Sequence, residues 1–319
     1  MIGRPRQRRT LLDAGDSHGE SLAVAAEERG ELRRLKVRRY VPATDEFVVV
    51  VPAGERDAQL ADSLMATGLF EYADPDWLLA PLSQDLVGQS ALRGPAPAPT
   101  SPMLPLIPLP GFPLCPDDPD FLSQWHHQAN AMASCAAWAG FTGAPNVSIG
   151  ICDTGLRTTH EDLQLHRLEG YNAVDQLWES AGGQITPVHS HGTRTTGTAV
   201  ANGNNGLGVV GVGWDLAHPM VRVSNQSNGN AFLSDIQHGA RTSIESGDRV
   251  ANVSYHGASS ASNPATASYI KSRGGLLLWG AGNTSSNFSS SDRDDDDLIV
   301  VSASDQSDSL AWFSSSGRS

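Results

Sequence analysis

His189-Ser190-His191-Gly192-Thr193-Arg194-Thr195-Thr196-Gly197-Thr198 is the stretch on which the reading of this chain turns. An imidazole opens a run of small residues, which places His191 at a helix start and lets that helix pack closely on a sheet. Upstream, Ile149-Gly150-Ile151-Cys152-Asp153-Thr154-Gly155 reads as a buried strand ending in a carboxylate. Downstream, Leu276-Leu277-Leu278-Trp279-Gly280-Ala281-Gly282-Asn283 reads as a second buried strand ending in a side-chain amide. Short apolar runs bounded by glycine and polar residues fit buried strands.

The same alternation continues around these motifs. Strands are expected at 146–152, 219–223, 249–254, 274–280 and 298–303, and helices at 131–139, 192–201, 229–246 and 262–273. The third helix carries Phe232, Leu233, Ile236, Ala240 and Ile244 on one stripe. Apolar strands alternating with helices predict an α/β fold, a doubly wound parallel sheet covered on both faces.

The residue types point to nucleophilic catalysis. A hydroxyl is a poor nucleophile at neutral pH and needs a base, which in turn needs an orienting carboxylate. His191 is the candidate base and Asp153 the candidate orienter. Alone, an Asp before Gly is a turn former; the pairing with His191 gives it a chemical role. Asn283, at a strand end, is placed to donate to an oxyanion. His189 reads as a loop residue.

Asp, then His, then Asn, in motifs Asp-Thr-Gly, His-Gly-Thr and Ala-Gly-Asn, resembles the subtilisin-like serine proteases, the subtilases, from about Pro116 to Ser319. The resemblance implies an endopeptidase acting on polypeptides, with Asp153, His191 and Asn283 in those three roles. Val250 to Gly257 is similar to the family's substrate-pairing strand, which implies a peptide-binding role for Ser254, Tyr255, His256 and Gly257, with Ala281 and Gly282 beside them. His256 stands where glycine is usual, so a narrowed cleft or altered backbone pairing is expected there. Asn202-Gly203-Asn204-Asn205-Gly206-Leu207-Gly208-Val209 is similar to a calcium-binding loop. Asp118, Asp162, Asn202, Asn205, Leu207 and Val209 are the implied ligands of a structural Ca2+, all through hard oxygens; a glycine- and asparagine-rich turn without metal is the alternative.

The family's Gly-Thr-Ser-Met-Ala nucleophile motif is not found in these 319 residues. Two readings stand side by side: a peptidase cut short before its serine, inactive as given and leaving apolar sheet surface exposed, or a catalytically dead relative that holds a peptide or partner.

Composition bounds the rest. The chain has 319 residues and a net charge of −13. Residues 1–40 hold ten basic and six acidic side chains, so the acidity belongs to the body of the chain, which argues against nucleic acid as a partner. Four segments are expected: a poorly ordered extension over 1–40, a small βαβ unit over 41–82, a linker over 83–115 and the α/β domain over 116–319. A helix is conceivable over Ser21 to Lys36. Ten prolines between Pro95 and Pro119 favour an extended linker, and the acidic run from Asp292 to Asp297 reads as a solvated loop. The unit over 41–82 resembles a subtilase prodomain, which implies that the chain's own N-terminal segment occupies the cleft in cis. A monomer is expected, with no membrane partner, since no apolar run reaches spanning length. Met1 to Thr10 shows no secretory signal pattern, although the family is usually exported, so the compartment stays open. Of the three cysteines, Cys152 reads as a buried hydrophobe, and Cys115 with Cys135 can form a disulfide that spacing does not decide.

Overall fold

The computed structural model describes residues 1–5, 35–82, 115–129, 131–288 and 296–317. All but the last two residues of the helix conceivable over 21–36, all but Cys115 of the linker over 83–115 and most of the acidic run lie outside these residues.

The N-terminal unit is built from β1 (Ile2–Pro5), β2 (Lys36–Val41), β3 (Glu46–Val50), α1 (Asp57–Ala66) and β4 (Phe70–Asp74). Its sheet has the order β2-β3-β1-β4. β3 and β4 are both antiparallel to β1 and so run the same way. The expected βαβ crossover is present, but β1 is inserted between its two strands, as in split βαβ motifs. This corrects the expectation that residues 1–40 are an unstructured extension: Ile2–Pro5 and Lys36–Val41 are strands. A two-stranded crossover cannot bury its own face; Met1, just before β1, fills the unit's core, and Ile2 points the other way, to the main domain. Met1, Leu35, Phe47, Val49, Leu60, Ala61, Leu64 and Phe70 form the unit's own core.

After β4 the chain leaves as β5 (Leu78–Leu79). The described chain resumes at Cys115, which is bonded to Cys135 at the start of the short helix α2 (Ser134–Trp138). β6 (Ile149–Asp153), β7 (Tyr171–Asn172), β8 (Leu177–Trp178), α3 (His191–Val200), β9 (Met220–Arg222), β10 (Ala231–Phe232), α4 (Leu233–Glu245), β11 (Val250–Val253), α5 (Asn263–Ser272), β12 (Leu276–Gly280), β13 (Asn287–Phe288), β14 (Leu298–Val301) and β15 (Ser316–Gly317) follow. The main sheet has seven strands in the order β14-β12-β11-β6-β9-β7-β8. Every neighbouring pair is parallel except β7 with β8.

Alternation along the strands splits the core between two faces. Cys152, Val221, Ala251, Val253, Leu277 and Trp279 pack with α4 and α5. Ile151 and Met220, one residue out of phase, pack with Leu156, Leu163, Ile185 and Ala201 on the α3 side. Helices therefore cover both faces, as a doubly wound sheet requires. The expected elements lie within a few residues of the observed ones; β7 and β8, two residues each, are too short to show a period in sequence. The expected exposed apolar sheet surface occurs at β14, where Ile299, Val300 and Val301 are 41%, 42% and 48% exposed.

The N-terminal unit packs on α4 and α5. Ile2, Val48 and Tyr72 belong to the same core cluster as Ile236, Ala240 and Ile270. Arg39 donates to Asp235 at 2.8 Å and to Ser234 at 3.2 Å. Glu46 is buried, accepts from Tyr72 Oη at 2.5 Å and from Thr44, and lies 3.8 Å from Arg241, itself buried. Phe232, at the N-terminal cap position of α4, offers no capping side chain. Its free amides are satisfied by the other unit instead: Leu233 N–H donates to Trp77 O at 2.9 Å, and Ser234 N–H to Asp76 Oδ1 at 2.8 Å. A carboxylate there satisfies orphan donors and suits the positive end of the helix dipole.

Candidate active site

Asp153 is the last residue of β6, at the sheet's C-terminal edge, and is fully buried. His191 is the first residue of α3. Gly192 lets the two approach, since a β-carbon there would meet Gly155 O at 2.4 Å. His191 Nδ1 lies 2.8 Å from Asp153 Oδ1 and 2.9 Å from Oδ2. Thr154 N–H also donates to Asp153 Oδ1 at 2.7 Å. With Nδ1 donating to the carboxylate, the other ring nitrogen is left for a second partner. Burial of His191 opposes its protonation most strongly, but the Asp153 hydrogen bond and charge, with a hydrogen bond to the Leu82 backbone, outweigh it, and the pKa is raised above 6.5.

The Leu82 backbone belongs to the N-terminal segment, whose residues 78–82 lie extended beside Ser254 to Gly257. β5 pairs antiparallel with β10. Beyond it, His256 N–H donates to Ala80 O at 3.1 Å, and Leu82 N–H donates to Ser254 O at 2.8 Å. Asn283 Nδ2–H donates to Leu82 O at 3.2 Å. Asn283 thus meets the Leu82 carbonyl, and His191, held from behind by Asp153, meets the Leu82 backbone.

The expected substrate-binding residues divide into two sets. Ser254, Tyr255, His256 and Gly257 line the segment: the first and third through the main chain, Tyr255 by a bridge to Pro81, and Gly257 by facing Leu79, whose Cδ1 would lie 2.6 Å from an added β-carbon. The Tyr255 ring itself is buried in the core and its hydroxyl donates to Gly229 O at 2.8 Å. The expected disturbance at His256 does not occur in the backbone, because the pairing uses only its N–H. Ala281 and Gly282 are not in the segment-pairing set: Ala281 N–H donates to Val301 O at 2.9 Å and Gly282 O accepts from Ser315 N–H at 2.8 Å. Gly280 takes that place instead, since a β-carbon there would meet Leu82 Cδ1 at 2.3 Å. Gly280 and the segment Leu78 to Leu82 escaped the sequence reading. The apolar run Leu78-Leu79-Ala80-Pro81-Leu82, just after the small unit, was the available signal.

Ser314 and Ser315 use their hydroxyls as acceptors for backbone amides. Ser315 Oγ accepts from Ser286 N–H at 3.2 Å and Ser314 Oγ from Ala303 N–H at 2.9 Å. Cys152 is free and buried, and burial pushes its thiol pKa up.

The expected calcium ligands also meet. Asp118 and Asp162 are 4% and 2% exposed. Asp118 accepts from Asn204 N–H at 2.8 Å, and Asp162 from Val209 N–H at 3.2 Å and Asn205 Nδ2 at 2.8 Å. Leu207 N–H donates to Asn205 Oδ1 at 2.8 Å. Asn202 N–H donates to Asp162 O, while its buried Oδ1 has no hydrogen-bond partner. Burial raises the Asp162 pKa, and the Asp118 charge adds to this. Two buried carboxylates and an orphaned carbonyl oxygen suit a hard cation. No group of three or more His, Cys, Asp or Glu side chains that could hold a metal is found among the described residues.

The subtilase family profile matches residues 144–319, more than half of the chain. The chain belongs to the subtilase family. It is 31% identical over 182 residues to a thermophilic serine proteinase of Bacillus sp. (strain AK1), covering 57% of this chain and 44% of that protein. It is 28% identical over 203 residues to thermitase of Thermoactinomyces vulgaris, covering 63% of this chain and 70% of that one. This subtilase therefore spans less than half the length of the first of these relatives. Among solved structures, fervidolysin from Fervidobacterium pennivorans, a keratinolytic enzyme related to subtilisin, superposes with a TM-score of 0.62 at 18% identity over 89% of this chain and 39% of that one. The likeness shows that the fold is subtilisin-like. No helix among the described residues is long and apolar enough to cross a membrane.

Proposed function

We propose that this subtilase is the proenzyme form of a serine endopeptidase whose catalytic pair is Asp153 and His191 and whose oxyanion donor is Asn283. Asp153 holds the imidazole by Nδ1 and stabilises the charge it acquires; His191 takes the proton of an attacking serine hydroxyl and returns it to the leaving amine. Asn283 donates to the carbonyl oxygen as it becomes an oxyanion. The N-terminal unit docks on α4 and α5 and lays residues 78–82 in the cleft, so it acts as an inhibitor in cis whose Leu82 is the residue before the cleaved bond. The carrying observation is the Leu82 carbonyl oxygen, 3.2 Å from Asn283 Nδ2, with its backbone also bonded to His191.

The serine is expected of a Gly-Thr-Ser-type motif that residues 1–319 do not contain, so this chain by itself is inactive. Asp118, Asp162, Asn202 and Asn205, with the carbonyls of Leu207 and Val209, hold a structural Ca2+ that fastens the arm at Asp118 to the loop after α3.

A fluorophosphonate probe tests the reading. It should leave no adduct on the 319-residue chain, while the protein isolated from its host should react with it and hydrolyse casein. The released N-terminal fragment should end at Leu82 by intact mass. A host protein that takes no probe and cleaves nothing overturns the reading in favour of a peptide-holding relative.

A further inference from the structure

His191 opens α3 without a local cap: Ser190, at the N-terminal cap position, makes no capping hydrogen bond through its side chain. The helix start is held from outside instead, where Gly192 N–H donates to Thr154 Oγ1 at 2.9 Å. The place of His191 therefore depends on the chain that leads to it. Residues 183–188 form no helix or strand. They cross closely over the exit of β6, where a β-carbon on Gly155 would meet Thr186 O at 2.6 Å, Ile185 O at 2.8 Å and Pro187 Cα at 2.8 Å. The Ile185 side chain is buried with Leu156, Leu163 and Met220.

Three successive carbonyls of this strap are held from the sheet edge. Leu156 N–H donates to Ile185 O at 2.8 Å. On either side of it, Gln184 O and Thr186 O both accept from Arg222 Nη1, each at 3.1 Å. Arg222 Nε donates to Ser224 O at 2.8 Å. Arg222 is the last residue of β9 and pairs with Asp153, the last residue of β6. It is 7% exposed, and a buried guanidinium needs such acceptors. Gln184 O has a second donor, Asn172 Nδ2–H at 2.9 Å. Among the described residues, Arg222 is the one donor to Thr186 O, the carbonyl nearer to His191. Two residues on, the strap reaches the site: Val188 N–H donates to Thr154 O at 3.0 Å, and Thr154 Oγ1 donates to His189 O at 2.8 Å.

We infer that Arg222 is a positioning residue for His191: by holding Gln184 O and Thr186 O it fixes the strap that delivers the imidazole to Asp153. This rests on the peptidase reading and adds to it a residue that acts only through the backbone before the base. Ser254 to Gly257 follow β11 and Asn283 follows β12, so the strap carries neither. Loss of the Arg222 fork should therefore slow turnover and spare peptide binding.

Arg222→Gln tests this. Glutamine can still reach Ser224 O but is too short for the two strap carbonyls. Arg222→Lys does the reverse, keeping a long donor for the strap. In the 319-residue chain, amide exchange at Val188 and Gly192 should rise about tenfold or more in Arg222→Gln, the scale of two lost hydrogen bonds. Val253 and Leu277, in the sheet, should stay as in the parent and report that the variant folds. In the protein isolated from its host, Arg222→Gln should lower kcat about tenfold or more, the scale of a displaced catalytic group, with KM little changed. Arg222→Lys should stay within a few-fold of the parent in both readouts. Should Arg222→Gln not fold, Arg222→Met is read in its place. Parent-level kcat and exchange in Arg222→Gln overturn the inference, as does a loss that appears in KM alone. A loss in Arg222→Lys as large as in Arg222→Gln overturns it too. A parent that takes no fluorophosphonate probe overturns the peptidase reading instead, and exchange at Val188 and Gly192 then still judges the hold of Arg222 on the strap.

Discussion

Asn283 donates its side-chain amide to the carbonyl oxygen of Leu82 at 3.2 Å, across a sequence separation of 201 residues. No local propensity brings these residues together. The contact exists because the N-terminal unit docks on α4 and α5 and steers its exit segment along β11.

Asn283→Ala removes that donor. In the host peptidase, kcat should fall about 10²–10³-fold with little change in KM, the scale seen when subtilisin loses its own amide donor. In the 319-residue chain the Leu82 amide should exchange faster. A kcat within a few-fold of the parent would remove Asn283 from the oxyanion role.

The His191 titration has a defined sign. Its pKa in the folded chain is raised above 6.5, since Asp153 and the Leu82 backbone outweigh burial. A raised pKa means that the folded state holds the proton more tightly than the unfolded one. The stability it contributes is full below about pH 6.5 and is lost as pH rises through the folded pKa. NMR titration should give a His191 midpoint above 6.5 in the parent, and Asp153→Asn should lower it. A parent midpoint below 6.5 would contradict the geometry.

Acid should destabilise the fold through other histidines. Burial first, then neighbouring positive groups, holds His127, His218 and His238 at about 4: His126 for the first, Arg167 and His166 for the second, Arg39 and Arg241 for the third. The unfolded chain binds these protons near 6.5, so stability is full above that value and falls as pH drops towards 4. Urea midpoints at pH 7 and pH 5 should differ accordingly, and His238→Phe should reduce the difference. Equal midpoints at the two pH values would refute this.

Glu46→Ala should cost about 3–5 kcal/mol, because it leaves the Arg241 guanidinium buried without its carboxylate. The charge-removing pair Glu46→Gln with Arg241→Met should cost less than Glu46→Ala alone. Thermal unfolding of Glu46→Ala, the pair and its two single variants decides; an additive or larger loss in the pair argues against coupling. Asp76→Ala should cost about 1 kcal/mol by uncapping α4.

Calcium should raise the melting temperature and EGTA lower it, with Asp162→Asn insensitive to both. Ligand that binds only the folded state stabilises it by mass action. An identical melting temperature in calcium and EGTA for the parent would remove the metal.

The sequence by itself determined the family and the alternation of strands and helices, and it singled out Asp153, His191 and Asn283 as candidates. Buried strands ending in Asp153 and Asn283 and a helix opening at His191 are local patterns, set by side-chain volume and polarity within a few residues. Short-range pattern could not show β1, whose partners Val48 and Asp74 lie far along the chain. Nor could it show that Asp76 caps a helix starting at Leu233, or that Gly280 lies against Leu82. Those relations depend on which surfaces meet when the two units pack, and packing is decided by shape and buried charge between distant segments. Tertiary structure alone put the Leu82 carbonyl beside Asn283, next to the Asp153–His191 pair.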